Sequence, residues 1–336
     1  MVSYYWKRIA QTIFTLWIAT TLAFVLVRML PGGPEAYIRS QLVASGEELP
    51  PDQINTLVEA YMAYRPDDPV WIQYQDFMQK LVFEGSLGQS LWYKRPVMDI
   101  MLQALPWTLY YSAISLVLGF VVRVILGAAM AYREGSKFDY GVTISGFFMG
   151  SIPYYVVALL TVIFFGFQLG WFPTSGHYDY QNVDPGLNLA FYLSVAYHSV
   201  LIVFAWVPGW IGGALGMRAN SIRILGEDYL RVARLRGLRE KRIASRYVAR
   251  NAVLPMYTSL MIRIGSLFGG SIILEEIFAY PGLGFYTFQA LQARDFPLLI
   301  GGFLFTTTAT LLGITLADFT YGLVDPRAGG ENRETY

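Results

Sequence analysis

The 336-residue sequence contains no cysteine, only two histidines and few charges, with 15% of its residues Asp, Glu, Lys or Arg. Soluble globular chains carry roughly 25% charged residues. Without thiols there are no disulfides, thiolate metal sites or thiol nucleophiles. His177 and His198 alone are too few for a His-rich metal centre. No G-x-x-x-x-G-K-[ST] loop occurs, so the usual ATP cradle is missing. H-E-x-x-H and G-x-S-x-G are missing too, and no other constellation of catalytic groups replaces them. The formal net charge of +1 gives no global field that would attract nucleic acid. What is present is apolar: 54% of the chain, gathered in long blocks, with a mean hydropathy of +0.40. These features exclude a disordered chain and an ordinary cytosolic enzyme, and they define a polytopic membrane protein.

A transmembrane helix needs about 20 mostly apolar residues to cross roughly 30 Å of hydrocarbon. Six blocks meet that length, at 9–30, 107–132, 142–169, 193–217, 257–280 and 298–323. The expected fold is therefore all-α with six transmembrane helices. The first block follows Lys7 and Arg8, as a signal peptide would. Its apolar run is too long for an h-region, and Arg28-Met29-Leu30-Pro31 offers no small-residue cleavage site, so a retained first helix is expected. The chain divides into a first span with its N-terminus (1–30), a loop region (31–106), a five-helix core (107–324) holding a basic loop at 218–256, and a tail (325–336).

Basic residues mark the cytoplasmic side. With the N-terminus inside, sixteen Lys and Arg fall in inner segments and six in outer ones. Ten of the sixteen lie between Arg218 and Arg250. Both termini are thus expected inside. The 31–106 loop carries ten acidic residues against five basic ones. It opens with the helix-breaking Pro31-Gly32-Gly33-Pro34. Trp71, Tyr74, Phe77, Met78 and Leu81 recur at three- to four-residue spacing, which predicts an amphipathic helix. The second outer loop, near 172–189, is rich in turn residues and has no basic ones.

Ionisable residues within spans are sparse. Arg123, Arg263, Glu275 and Glu276 are candidates for a gate or a path, because charge in a membrane is costly and tends to be functional. Snorkelling toward water explains such residues near an interface, but Arg123 lies about 13 Å at helical rise from the inner end of its span. The G-x-x-x-G spacings Gly209/Gly213, Gly212/Gly216 and Gly265/Gly269 suit close helix packing.

The basic loop is the most informative stretch. Glu227 and Asp228 precede a short helical run, where acids suit the positive end of the helix dipole. Gly237 ends that run, as a residue free to turn left-handed does. A second run from Leu238 to about Asn251 leads to Pro255. Fixing topology alone requires no such helix–Gly–helix bracket, so a docking surface is predicted.

Here the sequence resembles the EAA loop of importer-type ABC permeases, through Asp228-Tyr229, Ala233, Gly237 and Leu254-Pro255. The rest of the chain is similar to the dipeptide/oligopeptide/nickel branch. That likeness rests on Arg28-Met-Leu-Pro-Gly32, Gly85-Ser-Leu-Gly88 with Ser90, Arg95-Pro96-Val97, Leu105-Pro106 with Thr108, and Ser151-Ile-Pro153. It continues through Leu169-Gly-Trp171, Glu275 with Pro281-Gly-Leu-Gly284, Arg294-Asp295 with Pro297, and Asp325-Pro326-Arg327. The resemblance implies a type I importer permease in the cytoplasmic (inner) membrane. It would pair with a second permease, two cytoplasmic subunits that bind ATP and Mg, and an extracytoplasmic solute-binding protein. This chain itself would be no enzyme and hold no cofactor. Coupling to the ATPases falls on Glu227, Asp228, Tyr229, Ala233 and Gly237, with Arg231 and Arg234 as polar contacts. The implied cargo is short peptides, with oligosaccharides or nickel chelates as the branch's alternatives. Arg123, Glu276 and the run after His198 depart from the family pattern. A stand-alone secondary transporter or channel would need paired mid-membrane charges or inverted repeats, and the sequence has neither.

Overall fold

A computed structural model describes residues 2–29, 68–239 and 242–324, with seven isolated positions between 40 and 61. The expected 31–34 break, Lys241 and the 325–336 tail lie outside the described residues. What is described is helical, and β pairing there is limited to one bridge between Gln89 and Pro96. Among the described residues three helices are long and apolar enough to span a membrane, or up to five if each of two bent pairs counts as one span.

The long helices are α1 (Val2–Arg28), α3 (Val97–Tyr132) and α12 (Phe296–Val324). At 1.5 Å per residue α3 is about 54 Å long, well beyond a hydrocarbon core. It begins ten residues before the predicted boundary and runs through Pro106. The earlier turns hold because Val97, Ile100, Met101 and Ala104 are buried, so packing outweighs the donor that Pro106 lacks. Outward faces are apolar: Ile125 on α3, Ile144, Phe147 and Phe148 further along, and Leu312 and Leu316 on α12 are exposed. A surface of that kind suits lipid and would be a liability in water.

The chain forms two compact units. One takes Met1–Leu109, Phe268–Glu276 and Pro281–Leu316; the other takes Tyr110–Leu267, Ile277–Tyr280 and Ala317–Tyr336. In the first, α2 (Val70–Gln79) is the predicted amphipathic helix. Phe77 and Tyr74 meet Phe24 of α1 with ring centroids 5.6 and 5.4 Å apart, while Trp71 remains exposed. Val97 and Met101 of α3, Leu298 and Leu304 of α12, and Leu283 and Ala290 of α11 (Leu283–Ala293) complete this core. Burying each such side chain removes about 1.5–3 kcal/mol of apolar hydration where water is the alternative.

In the second unit the third and fourth apolar blocks are broken helices, not straight spans. The third is α4 (Lys137–Gly150) followed by α5 (Tyr154–Thr161), bent by 93°. The fourth is α6 (Leu189–Phe204) followed by α7 (Val207–Leu225), bent by 62°. Pro153 precedes α5 and Pro208 sits in the first turn of α7. A missing N–H and a restricted preceding residue make both prolines good starts and poor interiors. Tyr154 and Trp206 stack across the two breaks at 4.9 Å. Helices α4 and α7 then pack closely, because a Cβ on Gly212 would lie 3.2 Å from the Gly146 carbonyl and 3.3 Å from Gly150 Cα. Gly216, its G-x-x-x-G partner, meets nothing and does not share that contact.

The fifth block is also interrupted. α9 (Ala249–Gly265) passes through Pro255, gives way to a 3-10 turn (Ser266–Gly269), and the chain turns at Gly270 with φ +60° before α10 (Ile272–Ile277). Glycine supplies that left-handed turn at no steric cost.

Candidate functional site

The predicted helix–Gly–helix bracket is present, its first helix being α8 (Asp228–Leu235). Glu227 is the N-cap residue, with extended backbone and no side-chain hydrogen bond, and Asp228 stands in the first turn. At the other end the Gly237 N–H donates to the Arg234 carbonyl (2.9 Å) and the Leu238 N–H to the Ala233 carbonyl (3.3 Å). With Gly237 at φ +70°, this is a Schellman C-cap. Leu238 and Arg239 are not helical, so the second helical run begins later than predicted; it is described from Arg242, includes a π-helical segment (Ile243–Val248) and continues directly into α9.

One face of α8 is anchored inside the chain. Leu230 (0% exposed) and Ala233 (4%) pack with Met217 and Ile224 of α7 and with Ile243, Val248 and Ala252. The close approach that a small residue permits is therefore used by Ala233 within the chain itself. The Tyr229 hydroxyl accepts from Asn251 Nδ2 at 3.0 Å, which ties α8 to the first turn of α9. The opposite face carries exposed Arg231, Val232 and Leu235, the last 80% exposed, and Arg234 is exposed on its flank. Beside it, Gly237, Leu238, Arg239 and Arg242 line a recess of about 470 Å³. The helix is thus a rigidly seated element presenting two arginines and two aliphatic side chains outward.

Of the gate or path candidates, Arg123 lies across α7. Its Nη2 is 3.4 Å from the Gly209 carbonyl, and its stem occupies the space a Cβ would need at Gly213. The Gly209/Gly213 spacing therefore accommodates an arginine side chain. Arg123 Nε is buried and meets no hydrogen-bond partner among the described residues. Arg263 stands in the last turn of α9, exposed.

Glu275 is fully buried and serves as an anchor for another helix. Its Oε2 accepts from the N–H groups of Gly284 (2.7 Å) and Phe285 (3.1 Å), at the start of α11. Its Oε1 accepts from Thr108 Oγ1 at 3.0 Å, and Thr108 Oγ1 accepts from Leu283 N–H at 2.8 Å. A carboxylate at a helix N-terminus satisfies orphan donors and meets the positive dipole end. Gly282 and Gly284 permit this approach: a Cβ on Gly282 would overlap Glu275 and Thr108, and one on Gly284 would lie 2.7 Å from Ile272 backbone. Glu276 is half-buried and accepts from Gln289 Nε2 at 3.2 Å.

Two polar links were not singled out from the sequence. Asp139 of α4 pairs in a bidentate fork with Arg218 of α7, at 2.6 and 2.7 Å. The S-x-x-D spacing of Ser136 and Asp139 was the visible signal, and Ser136 does cap α4 by accepting from Asp139 N–H at 3.2 Å. Asp295 accepts from Ser90 Oγ (2.5 Å) and Trp92 N–H (3.0 Å) and caps α12 through Leu298 N–H (3.1 Å). The family-like pieces around Ser90 and Asp295 are thus a structural clasp.

Broken apolar helices, an outward apolar surface and three helices long enough to span define a multi-pass membrane protein. Residues 123–330 match the family described as binding-protein-dependent transport system inner membrane component. The chain belongs to that family, within its dipeptide/oligopeptide branch of ABC importer permeases. It is 29% identical over 329 residues to the oligopeptide transport system permease protein AppB of Bacillus subtilis, covering 97% of this chain and 99% of AppB. It is 30% identical over 341 residues to the di/tripeptide transport system permease protein DppB of Pseudomonas aeruginosa (97% and 98% covered). To the dipeptide transport system permease protein DppB of Lactococcus lactis it is 31% identical over 332 residues (97% and 99%). Membership implies work alongside other transporter components.

Proposed function

We propose that this chain is one of two permease subunits of an ATP-driven importer of short peptides, with six spans and both termini in the cytoplasm of a cell bounded by this membrane. The chain is organised as a first span (1–30), an extracytoplasmic loop region (31–106), a five-helix core (107–324) and a cytoplasmic tail (325–336). A second permease completes the path, an extracytoplasmic binding protein delivers the peptide, and two cytoplasmic subunits bind ATP and Mg. The full-length similarity to peptide permeases supports the cargo class.

The observation that carries the coupling role is α8: one face locked to α7 and α9 by Leu230 and Ala233, the other exposing Arg231, Val232 and Leu235, with Arg234 exposed on its flank. Arginines there can form charge-assisted pairs with carboxylates of an ATPase. Glu227, Asp228 and Gly237 set where the helix begins and ends, and Tyr229 holds its angle through Asn251. ATPase closure would then move α7 and α9 together as a lever, opening the path alternately to each side. Arg123 and Arg263 are assigned to the path, and Glu275 and Glu276 to the framework that carries it.

Reconstitution tests this reading. The complete complex in liposomes should take up tri-alanine only with ATP and binding protein, and Arg231→Glu with Arg234→Glu should uncouple hydrolysis from uptake. Robust uptake by this chain alone, or wild-type coupling in the double variant, would reject it.

A further inference from the structure

The segment from Gly170 to His198 holds a cavity that the coupling account does not use. It measures about 580 Å³, and its wall includes Tyr178, Asp179, Tyr180, Ser194, Tyr197 and His198. Small-ligand pockets run to roughly 300–1,000 Å³. No lysine or arginine occurs between Lys137 and Arg218, and among the described residues Asp179 is the one formally charged side chain in this wall.

The wall is fixed in place by its own hydrogen bonds. Asp179 N–H donates to Ser194 Oγ at 2.9 Å, and the Tyr197 hydroxyl donates to the Trp171 carbonyl at 2.5 Å. Tyr178 packs edge-on against Phe191 at 5.1 Å and faces Tyr180 at 6.3 Å. The Asp179 carboxylate accepts from Gln181 N–H (3.1 Å), Asn182 N–H (3.2 Å) and Asn182 Nδ2 (2.8 Å). A carboxylate offers about four acceptor sites, so one remains on Oδ2. His198 Nδ1 lies 2.8 Å from the Ser194 carbonyl, which can only accept. Nδ1 therefore donates its proton to that carbonyl, which fixes the ring against the cavity wall.

An anion with an acceptor site to spare and tyrosine side chains in one cavity match a group with N–H donors and a positive charge. Aromatic faces attract cations. We propose that this cavity binds a primary ammonium group, supplied by the unblocked N-terminus of a short peptide, with Asp179 as counter-ion. The peptide source rests on the importer reading above, while the ammonium chemistry stands without it.

The test uses the complete transporter in nanodiscs, without binding protein, and three probes followed by saturation-transfer NMR: n-butylammonium, tri-alanine and N-acetyl-tri-alanine. Tri-alanine and n-butylammonium should compete for one site, and acetylation should weaken binding at least tenfold. Asp179→Asn keeps an acceptor for the Gln181 and Asn182 N–H groups and should weaken both amines about tenfold. Tyr180→Leu, at a largely exposed position, should weaken them about threefold. Equal binding of acetylated and free tri-alanine, or amine binding unchanged in both variants, would overturn the proposal. Binding of n-butylammonium without tri-alanine would overturn the peptide source. ATP-driven uptake, measured separately, reports on the importer reading by itself.

Discussion

Glu275 shows how a single carboxylate can hold three parts of the chain: its own short helix, Thr108 of α3 and the first turn of α11. Replacing it by alanine leaves three backbone N–H groups (Ser271, Gly284 and Phe285) and the Thr108 hydroxyl without their acceptor, each worth about 1–3 kcal/mol when buried. Glu275→Ala should therefore lower the thermal unfolding midpoint in detergent clearly more than Glu275→Gln, which keeps an acceptor. The sequence marked Glu275 as a charge in an apolar block. It could not reveal that Thr108, 167 positions away, is its partner, because no local pattern encodes that pairing. His177 gives a second test at this scale. Burial lowers it from the ordinary histidine value to about 4, and the His198 charge acts in the same direction. The unfolded chain then binds the extra proton first, so the His177 contribution is complete above about pH 6.5. It is lost as pH falls toward 4. A His177→Phe variant should show a shallower fall in melting temperature across that window than the parent.

At the scale of elements, α8 was the most legible part of the molecule. Its acidic start, apolar positions Leu230 and Ala233, and terminal Gly237 each announce a role that local chemistry enforces. Placing any other residue at φ +70° costs about 1–2 kcal/mol. Gly237→Val should therefore fray the C-cap, speed limited tryptic cleavage at Arg236 or Arg239, and reduce uptake per ATP hydrolysed. The bends in the third and fourth blocks were not legible from hydropathy. Both halves are apolar, so composition runs smoothly across a break that Pro153 and Pro208 impose on the backbone. Between those bent pairs the Asp139–Arg218 fork joins α4 to α7, with Asp139 almost fully buried. A double-mutant cycle on that pair should return a coupling energy above the roughly 0.2–1 kcal/mol of exposed ion pairs.

For the whole molecule, the near-zero net charge conceals a local arrangement: a basic stretch around α8 and none between Lys137 and Arg218. The absence of cysteine makes that arrangement easy to probe, since every introduced thiol is unique. In sealed, oriented membranes Glu134→Cys should react with an impermeant maleimide from the cytoplasmic side and Asn182→Cys from the other. Reaction of both from one side would break the proposed topology. The central claim is that the exposed face of α8 seats in an ATPase. Leu235→Cys, carrying a short photoactivatable cross-linker in the transport-competent complex, tests it most directly. The predicted result is a covalent adduct with the ATP-binding subunit whose yield changes when nucleotide is added. An adduct with lipid alone, in a complex that still transports, would contradict it.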